Sequence, residues 1–263
     1  MLTDRYVAGS PNWLDLGTPD ITTATAFYGD LFGWTFASAG PEAGGYGMFQ
    51  LDGRTAAAGM PMTTEQGPPS WNVYFQSPDA DATAEAVRQG GGAVLHGPMD
   101  IWDLGRMAFC ADPDGATFAT WQPGQNTGLD LIGAPGALCW TELYTPDESA
   151  ALAFYTGVFG WGTSAMPYPD GSGSYTMMHP ASAGADAMFG GVVPLAADPS
   201  ETSAHWLPYF AVTDCDATVA RARSGGGTVR MPAVDLQGVG RLAKLSDPAG
   251  ARFALLQGES QGG

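Results

Sequence analysis

Apolar and polar positions follow two different periods along this chain, and the switches between them mark the elements. Residues 12–17 alternate with period two and predict a strand. Pro19-Asp20 then opens a helix in which Ala24, Phe27, Tyr28 and Leu31 share one face. Asp20 is placed to cap the free N–H groups of its first turn, and Gly33 ends it. Strands are predicted around 46–51, 57–61 and 71–76, and a second helix over about 80–89 stops at Gly90-Gly91-Gly92. Strands around 93–96, 106–110 and 116–121 follow. Asp112-Pro113-Asp114-Gly115 reads as the turn between the last two, because proline fixes φ and glycine tolerates positive φ.

The same grammar then repeats. WLDLGTPDITTATAFYGDLFGW from Trp13 matches WTELYTPDESAALAFYTGVFGW from Trp140, an offset of 127. In the second copy Asp147 is the cap and Ala151, Phe154, Tyr155 and Val158 form the stripe. Downstream the offset is 135: Trp71 matches Trp206, Asp79 matches Asp214, the glycine triplet matches Gly225-Gly226-Gly227, and Gly105-Arg106 matches Gly240-Arg241. An ordered set of this kind is the mark of a duplicated unit. The second copy carries eight more residues in its middle, part of them expected in the loop Pro167 to Gly173. The repeat predicts a first domain over 8–124, a glycine-rich linker over 125–134 and a second domain over 135–258, with the GESQGG terminus frayed. Each domain is itself a doubled βαβββ pattern.

Composition narrows the function. Ten basic against 27 acidic residues give a net charge of −17. Such a surface disfavours nucleic acid and anionic membranes, whose affinity rests on positive charge. No stretch approaches 18 apolar residues, and the N-terminus lacks the apolar core of a signal peptide. Cys110, Cys139 and Cys215 are odd in number and widely spaced, which predicts reduced, buried thiols and a cytoplasmic location rather than a disulfide framework.

The motifs PDITTATAFYGDLFGW, SPDADATAEAVRQGGG and GRMAFCADPDGATFATWQPG, with their second-copy partners, resemble the vicinal oxygen chelate superfamily, the glyoxalase, bleomycin-resistance and extradiol-dioxygenase group. Within it the chain looks like tandem actinobacterial proteins labelled hydroxylases or glyoxalase-like antigens. The resemblance implies an α+β fold of tandem glyoxalase-like domains, four βαβββ modules whose mixed sheets curl into cups. It also implies where a divalent metal would be held. The usual His or Gln place of the first strands falls on Trp13, Trp140, Asn72 and Leu207, and the closing Glu place falls on Ala119 and Ala254. Indole, isobutyl and methyl groups give no such ligand, so neither a metal nor another cofactor is expected. His96, His179 and His205 have no ligand-like spacing.

What remains to line a cup is aromatic and acidic. Trp13, Trp71, Tyr74, Trp140, Trp206 and Tyr209 lie on strands and are the candidate ligand-binding residues. Period two puts Asp15 on the face of Trp13, and Glu142 and Tyr144 on the face of Trp140. Asp15 and Glu142 are therefore equivalent carboxylates, candidates for accepting a ligand hydroxyl or acting as a base, with Tyr144 and His205 assisting. The alternative is a structural carboxylate bonded to backbone N–H groups or to Arg106 or Arg241. Met48, Met60, Met62, Met166, Met177 and their neighbours offer an adaptable lining. Two functions fit: metal-independent binding of a small aromatic or oxygenated metabolite, as in antibiotic resistance or secondary metabolism, or a hydroxylase-, lyase- or isomerase-like enzyme acting on one. A small molecule is the expected partner, and the chain is expected to be a monomer or a homodimer.

Overall fold

The computed structural model describes Leu2 and residues 6–168 and 173–259. The first copy runs β1 (Pro11–Thr18), α1 (Ile21–Phe32), β2 (Thr35–Ser38), β3 (Gly47–Leu51), β4 (Arg54–Pro61), β5 (Ser70–Gln76), α2 (Ala80–Gln89), β6 (Ala93–Ile101), β7 (Gly105–Ala111) and β8 (Thr117–Pro123). The second runs β9 (Leu138–Thr145), α3 (Glu148–Phe159), β10 (Gly162–Pro167), β11 (Ser174–His179), β12 (Gly190–Pro194), β13 (His205–Ala211), α4 (Cys215–Ser224), β14 (Thr228–Leu236), β15 (Gly240–Ser246) and β16 (Arg252–Gly258). Each copy forms a mixed eight-stranded sheet, in the order β2-β3-β4-β1-β5-β8-β7-β6 and β10-β11-β12-β9-β13-β16-β15-β14. Within each βαβββ module the first strand pairs parallel with the last, as β1 does with β4 and β13 with β16.

Local chemistry explains the helices. Asp20 accepts the N–H groups of Thr22 and Thr23, and Asp147 accepts that of Ala150. The predicted stripe of α1 is buried throughout, whereas in α3 Val158 is only half-buried. Two elements depart from the sequence reading. β2 is short and mostly exposed, so it carries no period-two signal. β6 runs on to Ile101 through Gly97-Pro98, because its ladder with β7 shifts register between Val94 and His96 and again between His96 and Met99. Irregularities of this kind admit a proline that regular pairing excludes.

Two compact units form, and each draws on both copies. One comprises Met1–Trp13, Asn72–Gly128 and Thr141–Trp206, the other Leu14–Trp71, Leu129–Trp140 and Leu207–Gly263. The first unit contains α2 and α3. Its core rings include Phe75, Phe118, Tyr155, Phe159, Trp161 and Trp206. The second contains α1 and α4, around Tyr28, Phe32, Trp34, Phe49, Trp71, Phe210 and Phe253. The expected linker is divided: residues 125–128 belong to the first unit and 129–134 to the second, where Leu129 and Leu131 are buried and Asp130 accepts the Thr55 N–H at 2.9 Å.

The glycine triplets do more than end helices. Gly91 and Gly226 take φ of 85° and 88°, the left-handed turn that glycine adopts without strain. Their flanking glycines are close-approach points. A Cβ on Gly90 or Gly92 would stand 2.9 Å from the ring of Phe154, and one on Gly225 or Gly227 would stand 3.1 or 3.0 Å from that of Phe27. Gly92→Ala is accordingly expected to cost about 1–3 kcal/mol by overpacking, read as a lowered urea midpoint. A Cβ on Gly92 would also stand 2.6 Å from the Ala111 carbonyl oxygen, so an unchanged midpoint would show that backbone and ring both give way freely.

Candidate functional site

The first-strand carboxylates fall in different units and have different surroundings. In the first unit, Glu142 on β9 is half-buried and accepts two tyrosine hydroxyls, Tyr144 at 2.9 Å and Tyr175 of β11 at 2.8 Å. The ring of fully buried Tyr144 stacks on the His205 imidazole, centroids 4.9 Å and planes 10° apart. Nδ1 of His205 lies 2.8 Å from the Ser203 carbonyl oxygen, and Nε2 lies 3.4 Å from Glu201, whose carboxylate is wholly buried. Three of the four candidate catalytic residues, Glu142, Tyr144 and His205, thus form one cluster. Both ring nitrogens of His205 lie near protein oxygens. Period two is enough to bring Glu142 and Tyr144 together. Tyr175 and Glu201 were not singled out by the sequence. The available signal was Gly190-Gly191 in an apolar strand, since a strand glycine marks a close approach: a Cβ on Gly191 would collide with the Tyr175 hydroxyl.

Asp15 belongs to the second unit. It is 1% exposed on β1, in register with Ala58 of β4. The arginines proposed as structural partners of Asp15 and Glu142 are engaged elsewhere. Arg106 donates to Asp81 and Asp100, and Arg241 donates to Asp216 and Asp235. These pairs hold both guanidinium groups above their ordinary pKa, chiefly through the hydrogen bonds to Asp81 and Asp216. Their carboxylates are largely exposed, so they tie α2 and β6 to β7, and α4 and β14 to β15, without contributing much energy.

The aromatic candidates divide as well. Trp71 and Trp206 are core residues: their indole N–H groups each donate at 2.9 Å, to Tyr28 and to Tyr155. Tyr28 donates in turn to Asp247 at 3.2 Å and Tyr155 to Asp112 at 3.1 Å. The aspartates of the two DP turns are therefore buried acceptors. Burial pushes both carboxyls up, against the pull of backbone and tyrosine hydrogen bonds, and it pushes both tyrosines well above their usual pKa. Tyr74 and Tyr209 are buried in register with Ala119 and Ala254, Trp13 is buried, and Trp140 is half-buried. His96 is exposed beside Phe109, and His179 is half-buried near the Pro180 carbonyl. Burial pushes the thiols of Cys110, Cys139 and Cys215 up to about 12, 12 and 11, which makes poor nucleophiles of them.

A divalent ion of the kind the fold often carries needs three or more protein donors. The two closing positions are methyl groups, both fully buried. Among the described residues no group of three or more His, Cys, Asp or Glu side chains is arranged to hold an ion. The residues at these places do not fit such a metal. Among the described residues no helix is long and apolar enough to cross a membrane.

Comparison with known proteins agrees with this architecture. A protein of Mycobacterium tuberculosis (strain CDC 1551 / Oshkosh) named "Putative glyoxylase CFP32" is 41% identical over 260 residues, 96% of each chain. The anthracycline biosynthesis protein DauV of Streptomyces sp. (strain C5) is 38% identical over 268 residues, 96% of this chain and 94% of its own. Among solved structures, the 2,3-dioxygenase LapB from Pseudomonas sp. KL28 superposes with a TM-score of 0.62 at 14% identity, covering 95% of this chain and 93% of that one. The sequence profile of the Glyoxalase/Bleomycin resistance protein/Dioxygenase superfamily matches residues 10–120 and again 137–255. With two matched segments that span most of its length, the chain belongs to this superfamily.

Proposed function

We propose that this chain binds a small, flat, oxygenated aromatic molecule without a protein-held metal, using the first-strand carboxylates Asp15 and Glu142 as acceptors for a ligand hydroxyl. The observation that carries the reading is the pair of buried methyl groups, Ala119 and Ala254, at the places where a metal-binding relative would close its donor set. Binding in the superfamily then has to rest on hydrogen bonds and ring contacts. The naming of a 38% identical relative for anthracycline biosynthesis supports a planar polycyclic ligand. So does the supply of Trp13, Tyr74, Trp140 and Tyr209 on the strands.

The test is native mass spectrometry, with metal analysis, on protein purified from its own host. The expected result is an organic mass on the chain and no stoichiometric metal. Iron, zinc or manganese at one ion per chain would overturn the reading. An enzyme acting on such a molecule is the second reading, and one observation favours it: Glu142 touches two phenols, an arrangement able to pass a proton. Chemical change of the captured molecule on incubation with excess protein would select that reading.

A further inference from the structure

A partly enclosed cavity of about 180 Å³ opens in the first unit. Leu2, Val7 and Ser10, ahead of β1, line it together with Pro180, Ala183, Ala187 and Phe189, from the connection between β11 and β12. The first copy has no counterpart of that connection. There β3 and β4 join through Asp52-Gly53, with Leu51 opposite Arg54. The chain that the second copy adds beyond β11 therefore builds this wall.

The wall is fixed by its own turns and by the core. Ala183 and Gly184 both donate their N–H groups to the Pro180 carbonyl at 3.2 Å, and Ala187 donates to that of Gly184 at 3.1 Å. Phe189 is 1% exposed, and its ring meets Trp161 edge to face with centroids 4.9 Å apart. The Trp161 indole in turn donates to the Gly9 carbonyl at 2.8 Å, between Val7 and Ser10. A Cβ on Gly9 would stand 2.6 Å from that indole nitrogen, so glycine permits the approach. Both sides of the cavity are thus tied to one buried ring, which lowers the cost of ordering them around a ligand.

Six of the seven lining residues are apolar. The seventh, Ser10, is engaged: its hydroxyl donates to the Val7 carbonyl at 2.8 Å and accepts the Val7 N–H at 3.0 Å. None of the seven carries a charge, so an ionised group moved inside would lose its water and gain no partner. The charge nearby opposes an anion. Asp186 sits in the 3₁₀ turn Ala185–Ala187 of the wall, and the whole chain carries −17. A dry apolar cavity of roughly 150 Å³ holds benzene, so this one has room for one ring.

We infer that this cavity is a binding site for a small neutral aromatic group of one ring, separate from the carboxylates Asp15 and Glu142. It is a property of the duplicated chain, because the segment ahead of β1 supplies Val7 and Ser10 and the second copy supplies Pro180, Ala187 and Phe189. It does not depend on the ligand reading above.

Fluorobenzene titrated into the full chain tests it, followed by 19F NMR of the probe and by methyl NMR of alanine- and valine-labelled protein. Saturable binding of one fluorobenzene per chain is expected, with shifts at the methyl groups of Val7 and Ala187. Ala187→Leu fills the space and should weaken binding by about tenfold or more. Benzoate, the same ring with a charge, should bind weaker by a similar factor. If Ala187→Leu does not fold, the methyl map and benzoate decide. Benzoate binding as tightly as fluorobenzene, shifts that spare Val7 and Ala187, or a response that never saturates would overturn the site. Each of those results leaves the metal-free reading to its own test on host-purified protein.

Discussion

Replacing Asp247 by alanine is expected to cost about 2–4 kcal/mol, among the largest effects of any single change away from the packed rings. One oxygen of this carboxylate accepts the N–H groups of Ala249, Gly250 and Ala251 at 2.8–3.0 Å, and the other accepts the hydroxyl of Tyr28. Alanine leaves the N–H of Ala251 and the hydroxyl of Tyr28 buried without this acceptor, and each such group carries a desolvation cost of about 1–3 kcal/mol. Asp112→Ala should behave alike in the other unit, where the carboxylate accepts Asp114, Ala116 and Tyr155. Asp247→Asn keeps an oxygen for the turn and should lose less. Urea denaturation followed by circular dichroism measures the difference. A loss under about 1 kcal/mol for Asp247→Ala would mean that water replaces the carboxylate.

The same two tyrosines make the fold sensitive to alkali. Tyr28 and Tyr155 are held well above their ordinary pKa of 10.0, first by burial and then by the neighbouring Asp247 and Asp112. An unfolded tyrosine releases its proton near pH 10, whereas these keep theirs, so above that pH the unfolded state binds fewer protons than the folded one. Stability is therefore fully retained below about pH 10 and falls as pH rises beyond it, by up to about 1.4 kcal/mol per pH unit for each tyrosine. The expected measurement is a urea midpoint that drops steeply between pH 10 and 12 in the native chain and less steeply in Tyr28→Phe. Free ionisation of all nine tyrosines near pH 10 in folded protein, seen as ultraviolet difference absorbance, would contradict this account.

Where an element depends on neighbours in the chain, the sequence was legible. The caps Asp20 and Asp147, the stripe Ala24, Phe27, Tyr28 and Leu31, and the strand around residue 142 all follow from spacing alone. The pairing of Glu142 with Tyr144 follows as well, because period two places them on one face. The middle of the second copy was less legible. The ladders give an offset of 129 from Met48 to Met177 and 133 from Ala58 to Gly191. Most of the eight extra residues therefore lie beyond β11, while residues 169–172 of the loop Pro167 to Gly173 lie outside the described residues. Trp71 and Trp206 show the limit differently. Alternation assigned them to a strand, but the core side of that strand is set by what packs against it, and there they meet Tyr28 and Tyr155.

By itself the sequence determined the duplication, the βαβββ grammar and the two carboxylates at equivalent places, because these rest on local periodicity or on self-similarity, and its motifs carried the resemblance to the superfamily. Only the tertiary structure decided that Tyr28 meets Asp247 across 219 residues, that Phe27 and Phe154 lie on glycine triplets of the opposite copy, and that Tyr175 closes on Glu142 over a bare Gly191. Contacts between remote segments depend on which surfaces bury each other best, and that is a property of the packed chain rather than of any stretch of it.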